Sequence, residues 1–139
     1  MLIALKEAKK AFDLGEIPIG AVIVCGDKLL SKAHNKRNKK KDAICHAETL
    51  CISKTCKKLK DWRLNNCEMY VTCVPCPMCA GAIVNARIKH VYYGATNDNQ
   101  KLFEEIMQSS ALNHKTKFTG GVLEKECSNV LSEFFAKIR

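Results

Sequence analysis

The sequence predicts an α/β fold in which a mixed sheet of about five strands carries helices on both faces. Three observations point there. Short β-branched, apolar runs alternate with stretches of helical periodicity. One such run, His90-Val91-Tyr92-Tyr93-Gly94, directly follows a helical stretch and so expects a parallel neighbour. A chain of 139 residues, 47% hydrophobic and 27% charged, is long enough for one sizeable core, so residues 1–139 are expected to form a single domain.

The elements follow in order. Residues 1–14 place Ile3, Leu5, Ala8 and Phe12 at helical spacing, and Gly15 is a natural stop. Gly20–Cys25 is apolar and β-branched, which predicts a buried strand. Gly26-Asp27 suits a two-residue hairpin turn, and Lys28–His34 returns as the second strand. Residues 35–42 read as a polar, basic loop. Residues 45–60 predict a helix with Ala47, Leu50, Cys51 and Leu59 inward and lysines outward. Residues 61–66 turn the chain into a strand over 67–72, and a helix follows over 76–89. After strand 90–94, a helix starts between Asn97 and Asn99 and runs to about Ser110. Residues 113–121 are polar, and 124–139 form a last helix with Val130, Leu131, Phe134, Phe135 and Ile138 on one side. Adjacent residues cannot share one helix face, so one of Phe134 and Phe135 is expected to be exposed.

Composition excludes some functions and favours others. No run approaches the ~20 apolar residues that a membrane span needs. The first helix is charged by its second turn, unlike a signal peptide, which leads to an expectation of a cytoplasmic protein. Nine cysteines is an odd number at irregular spacings, which fits reduced thiols and a metal site better than a disulfide framework. Twenty-three Lys+Arg against 14 Asp+Glu leave a net charge of +9, which suits a polyanionic partner such as RNA.

The chemistry concentrates in two short stretches, His46-Ala47-Glu48 and Cys73-Val74-Pro75-Cys76-Pro77-Met78-Cys79. Pro75 and Pro77 mark a switch from strand to helix, since proline is well tolerated in a helix's first turn. Cysteines at i and i+3 of that turn, Cys76 and Cys79, converge on one point. A catalytic zinc takes three protein ligands and leaves one position for water, and His46 can supply the third. Glu48, two residues past the histidine, is placed to take a proton from that water and return it to a leaving group. A redox CxxC or a structural zinc knot is the plain alternative. A structural site closes with four protein ligands and has no use for Glu48. Cys45 and Cys73 flank the ligands and are expected to stay off the metal, because a fourth thiolate would close the open position. Cys25, Cys51, Cys56, Cys67 and Cys127 read as small hydrophobes. No organic cofactor is expected.

His-x-Glu followed by Pro-Cys-x-x-Cys is the established signature of zinc nucleobase deaminases, so this step matches a known pattern. The resemblance extends further. Gly15-Glu16-Ile17-Pro18-Ile19-Gly20-Ala21-Val22, Ala33-His34-Asn35, Tyr70-Val71-Thr72, Ala80-Gly81-Ala82-Ile83, Asn113-His114 and Gly121-Val122-Leu123 make the chain similar, nearly end to end, to bacterial tRNA adenosine deaminases of the TadA type. The resemblance implies a three-layer α/β/α cytidine-deaminase-like fold and a homodimer with one Zn²⁺ per subunit. It also implies hydrolytic deamination of the wobble adenosine of a tRNA anticodon stem-loop to inosine. On this resemblance His46, Cys76 and Cys79 hold zinc and Glu48 moves the proton. Asn35 and the Ala47 backbone hold the flipped base, and Ile17 and the Pro18 loop line its pocket. Asn97, His114, Lys115, Phe135 and Arg139 meet the neighbouring nucleotides. The chain also departs from the family's usual pattern. Cys73-Val74 stands where Leu-Glu is usual, Asn97 where an Asp is usual, and residues 99–105 where a Gly-Ser-rich loop is usual.

Two rivals follow from the same residues. A deaminase of a free base or nucleotide, of guanine or cytosine type, would share the zinc site but need no basic surface. A non-catalytic RNA-binding subunit would keep zinc for stability and would be expected to lose Glu48, which this chain retains.

Overall fold

Five strands lie in the order β2-β1-β3-β4-β5 in the computed structural model, which describes residues 1–139. The strands are β1 (Gly20–Cys25), β2 (Lys28–His34), β3 (Glu68–Cys73), β4 (His90–Ala95) and β5 (Lys117–Thr119). β1 runs antiparallel to both β2 and β3, while β3, β4 and β5 are parallel. The helices are α1 (Leu2–Asp13), α2 (Arg37–Lys40), α3 (Ala47–Leu59), α4 (Pro77–Asn85), α5 (Gln100–Met107) and α6 (Glu124–Ile138). This is the expected three-layer α/β/α arrangement.

Side chains alternate between the two faces of a sheet. Register aligns Ile23, Met69 and Val91 in one row and Ala21, Val71 and Tyr93 in the next, all six at most 2% exposed. α3, α4 and α5 cover this face, with Phe103 of α5 edge-on to Tyr93 at 5.4 Å. α1 and α6 cover the other face, and two glycines let them approach. A Cβ on Gly94 would lie 2.3 Å from the Cys127 sulfur of α6. A Cβ on Gly20 would lie 2.1 Å from the Ala4 carbonyl oxygen and 2.5 Å from the Ala8 nitrogen of α1. Backbone cannot swing aside, so Gly20→Ala must push α1 off the sheet. The expected cost is about 1–3 kcal/mol or more, read as a lowered denaturation midpoint; an unchanged midpoint would mean that α1 does not seat on β1.

The structure corrects several boundaries. Residues 35–42 are not all loop: Arg37–Lys40 make one helical turn. The buried Glu16 carboxylate accepts from the Asn38 and Lys39 N–H groups at 3.0 and 2.8 Å and holds that turn, a long-range contact that no local pattern announces. The fifth strand lies inside the polar stretch 113–121, as the edge strand β5, where only Phe118 turns toward the core. The helix expected over 76–89 ends at Asn85, because Arg87 takes a left-handed φ of 65° and the chain turns into β4. The helix expected to reach about Ser110 spans only Gln100–Met107. As expected for adjacent aromatics, Phe134 is buried against Phe12 and Phe135 is exposed.

Candidate metal centre and its groove

β3 ends at Cys73, and three residues later α4 begins with Cys76 as its N-cap and Pro77 in its first turn. His46 is the N-cap of α3. The expected convergence of two helix N-termini is therefore present, each lending partial positive charge to the space between them. The His46 N–H donates to the Thr49 hydroxyl at 3.2 Å, and that hydroxyl donates back to the His46 carbonyl at 3.0 Å, which fixes the histidine's backbone. Thr49 was not anticipated from the sequence.

The ligand atoms of His46, Cys76 and Cys79 lie within 4.8 Å of one another, a group that includes neither Cys45 nor Cys73. His46 Nδ1 stands 3.7 Å from the Cys76 sulfur and 3.5 Å from that of Cys79. The hydrogen bond with Cys79, aided by the His46 imidazole, draws the Cys76 thiol down to about 4 against the opposing effect of burial. The same bond, with burial, pushes Cys79 far upward. His46 is raised, first by its bond with Cys76. A thiolate beside a histidine and a second thiol is a donor set that suits a borderline-soft cation, with room for one further ligand.

Glu48 lies in the first turn of α3 and is only 3% exposed. Burial raises its carboxyl well above the usual range. Its Oε1 is buried without a hydrogen-bond partner. A buried orphan acceptor is costly and calls for a partner with a proton to give. The donor cluster and the free oxygen together fit a metal ion carrying a water.

These groups face a narrow pocket of about 60 Å³ lined by Ile17, Ile19, Asn35, Arg37, His46, Ala47 and Glu48. Ile17 and Ile19 also line a larger groove of about 520 Å³, whose other walls include Cys73, Thr96, Asn97, Phe135 and Arg139. The two spaces share a wall, so a planar group could enter the pocket while the chain carrying it stays in the groove. Asn35 is 6% exposed; its amide donates to the Ile17 carbonyl at 3.3 Å and its Oδ1 accepts from the Arg37 N–H at 3.1 Å. One amide hydrogen and one lone pair remain for a ligand. Asn97 donates to the Cys73 sulfur at 3.5 Å and accepts from the Asn99 N–H at 2.8 Å. Val74, where the resemblance would place a glutamate, is buried in the core with its N–H on the Ala95 carbonyl.

The structure thus places Ile17, Asn35 and Ala47 at the pocket beside His46 and Glu48, and Asn97, Phe135 and Arg139 along the neighbouring groove. It leaves three expected residues out. Pro18 is buried and lines neither space, so its loop contributes through Ile17 and Ile19 instead. His114 bonds the Ile88 carbonyl at 3.0 Å and Lys115 the Ser109 carbonyl, both just ahead of β5. The parallel strands β4 and β5 begin there and run toward the metal end, about 20 Å away at the rise of a β-strand. Arg37, Ile19 and Cys73 were missed; Arg37 looked like one more cation in a basic run.

Comparison with known proteins agrees with this geometry. The MafB19-like deaminase family matches residues 1–139. The tRNA-specific adenosine deaminase of Bacillus subtilis (strain 168) is 44% identical over 139 residues, covering 98% of this chain and 86% of its own length. A solved structure from work on A-to-I editing by tRNA:A34 deaminases at the wobble position superposes with a TM-score of 0.90 at 34% identity, over 94% of this chain and 97% of that one. A guanine deaminase from Bacillus subtilis superposes less well, with a TM-score of 0.66 at 32% identity over 94% and 88% of the two chains. By family match and near full-length kinship, the chain belongs to the tRNA-specific adenosine deaminases of the MafB19-like deaminase family.

Proposed function

We propose that this chain, as one deaminase domain over residues 1–139, converts the wobble adenosine of a tRNA anticodon to inosine by hydrolysis. The observation that carries the proposal is the orphan Glu48 oxygen beside the His46–Cys76–Cys79 cluster, in the wall of a pocket that shares Ile17 and Ile19 with a groove lined by Phe135 and Arg139. Zinc held by His46, Cys76 and Cys79, one ion per subunit, would polarise a water for attack at C6 of adenine. Glu48 would take one proton of that water to the ring nitrogen and carry the second, from the new hydroxyl, to the amino group, which leaves as ammonia while water's oxygen stays on C6. Its raised pKa suits a group that must hold the proton between those steps. Asn35, with the Ala47 backbone, orients the base edge, and Ile17 and Ile19 exclude water from its face. Because C6 cannot be reached within a base stack, the adenosine is flipped into the pocket. Phe135 offers a stacking face to the next nucleotide and Arg139 a charge for its phosphate, while Asn97 reaches the ribose.

Of the 23 lysines and arginines, only Lys10 and Arg63 make ion pairs with carboxylates. The remaining positive charge is free to meet RNA phosphates. The homodimer is proposed through α4, which exposes Pro77, Met78 and Gly81 beside the metal ligands. No helix is long and apolar enough to cross a membrane, in keeping with a proposed cytoplasmic site of action.

The test is conversion of a synthetic anticodon stem-loop bearing a wobble adenosine, with free adenosine, guanine and cytosine alongside. Inosine in the stem-loop alone is the expected result. Turnover of guanine alone would instead favour the activity named for the Bacillus subtilis guanine deaminase. In the same assay, Phe135→Ala and Arg139→Ala are each expected to raise KM about 10-fold with little change in kcat, by loss of stacking or of one phosphate contact. Arg139→Ala should also flatten the salt dependence of binding by about one unit of slope. A fall in kcat at unchanged KM would remove both residues from RNA binding.

A further inference from the structure

At the end of the sheet far from the metal centre, two thiols face each other. β1 and β3 pair antiparallel as far as Val24 and Glu68, and the next residues along the chain are Cys25, which ends β1, and Cys67, which directly precedes β3. The Cys67 carbonyl accepts from the Lys89 N–H, on the β4 side of its strand. N–H and C=O of one strand residue point the same way, so continuing the β1–β3 register by one residue would set Cys67 opposite Cys25 at a position without ladder hydrogen bonds. Such pairs are the closer kind, with Cα atoms about 4.5 Å apart, inside the roughly 4.4–6.8 Å that a disulfide spans. Cys25 is close enough to help raise the Cys67 thiol. Both line one surface cavity of about 240 Å³, rimmed by Asp61, Arg63, Asn65 and Asn66, through which a small oxidant can reach them.

We propose that Cys25 and Cys67 form a second, distal thiol site: a dithiol that a low-molecular-weight disulfide oxidises to a cross-strand disulfide. Cys25 is half-buried and Cys67 is 2% exposed, so Cys25 is the sulfur met first. Its thiolate attacks one sulfur of glutathione disulfide, forming a mixed disulfide and releasing one glutathione thiolate. Cys67 gives up its proton and attacks the Cys25 sulfur, and the second glutathione leaves. The protein loses two electrons and two protons, and the oxidant becomes two thiols. Burial and the neighbouring Cys25 push the Cys67 thiol up to about 11, so little of it is thiolate and the second step depends on the two sulfurs being close. Cys56, the third thiol nearby, bonds the Trp62 carbonyl at 3.7 Å, on the α3 side. The bridge would join β1 to β3 and close the long loop between them, so it stabilises the fold without reaching the catalytic end.

The test uses the full chain with zinc supplied, incubated with glutathione disulfide, alkylated without reduction and mapped by mass spectrometry. The expected product is a peptide pair linked through Cys25 and Cys67, with a midpoint of thermal unfolding several degrees higher. Reductant should reverse that rise, and Cys25→Ser should abolish it. Linkage of Cys67 to Cys56, a lasting glutathione adduct on Cys25, or no reaction at either cysteine would each overturn the proposal. The wild-type map decides even where Cys25→Ser folds poorly.

Discussion

Glu48→Ala is expected to lower kcat by about 10⁴-fold, the upper range for removing a positioned acid–base group, while metal content and unfolding temperature stay close to wild type. The separation follows from geometry. Glu48 is not among the metal-coordinating atoms, and its Oε1 has no structural partner to lose. Removing a buried carboxylate with one unpartnered oxygen also removes a desolvation cost, so stability should stay close to wild type. Glu48→Gln keeps the shape but cannot cycle a proton, so it should be as inactive as the alanine variant. Single-turnover inosine formation beside metal analysis checks both. A variant retaining more than about one-tenth of wild-type kcat would show that the proton moves by another route.

Cys76→Ala is expected to remove both activity and metal. Loss of a ligand should weaken zinc binding by more than the about 10–100-fold that loss of an outer hydrogen-bond partner costs. It should also lower the unfolding midpoint, because a zinc ion held there would tie the N-cap of α3 to the N-cap of α4. Chelation of the wild-type protein should reproduce the drop, and added zinc should restore it. The contrast with Glu48→Ala distinguishes the chemistry from its scaffold: one variant loses turnover and keeps metal, the other loses both. Full activity in metal-free Cys76→Ala would refute the zinc assignment.

Much of this site was legible in sequence because its ligands are local. Cys76 and Cys79 lie within one helical turn, and His46 and Glu48 share another, so spacing alone brings each pair together. β1, β3 and β4 were legible for a similar reason, since central strands of a covered sheet must be apolar. β5 was not, because an edge strand with a single inward residue carries almost no periodicity. Nor was α2, whose turn depends on Glu16, more than twenty residues earlier in the chain.

By itself, then, the sequence determined the fold class and the clustering of His46, Cys76 and Cys79 near Glu48, set by short-range spacing and hydrophobic alternation. Tertiary structure alone decided which cations and aromatics share the catalytic groove. Arg37 lines the pocket beside that groove because Asn35 and Glu16 fold the basic run back over it. Phe135 and Arg139 entered the groove because α6 crosses the sheet to meet the Ile17 loop. His114 and Lys115 left it because the direction of a parallel strand put them at the other end. Each depends on a contact between distant segments, and the energy of such a contact is fixed only once the chain has closed around it.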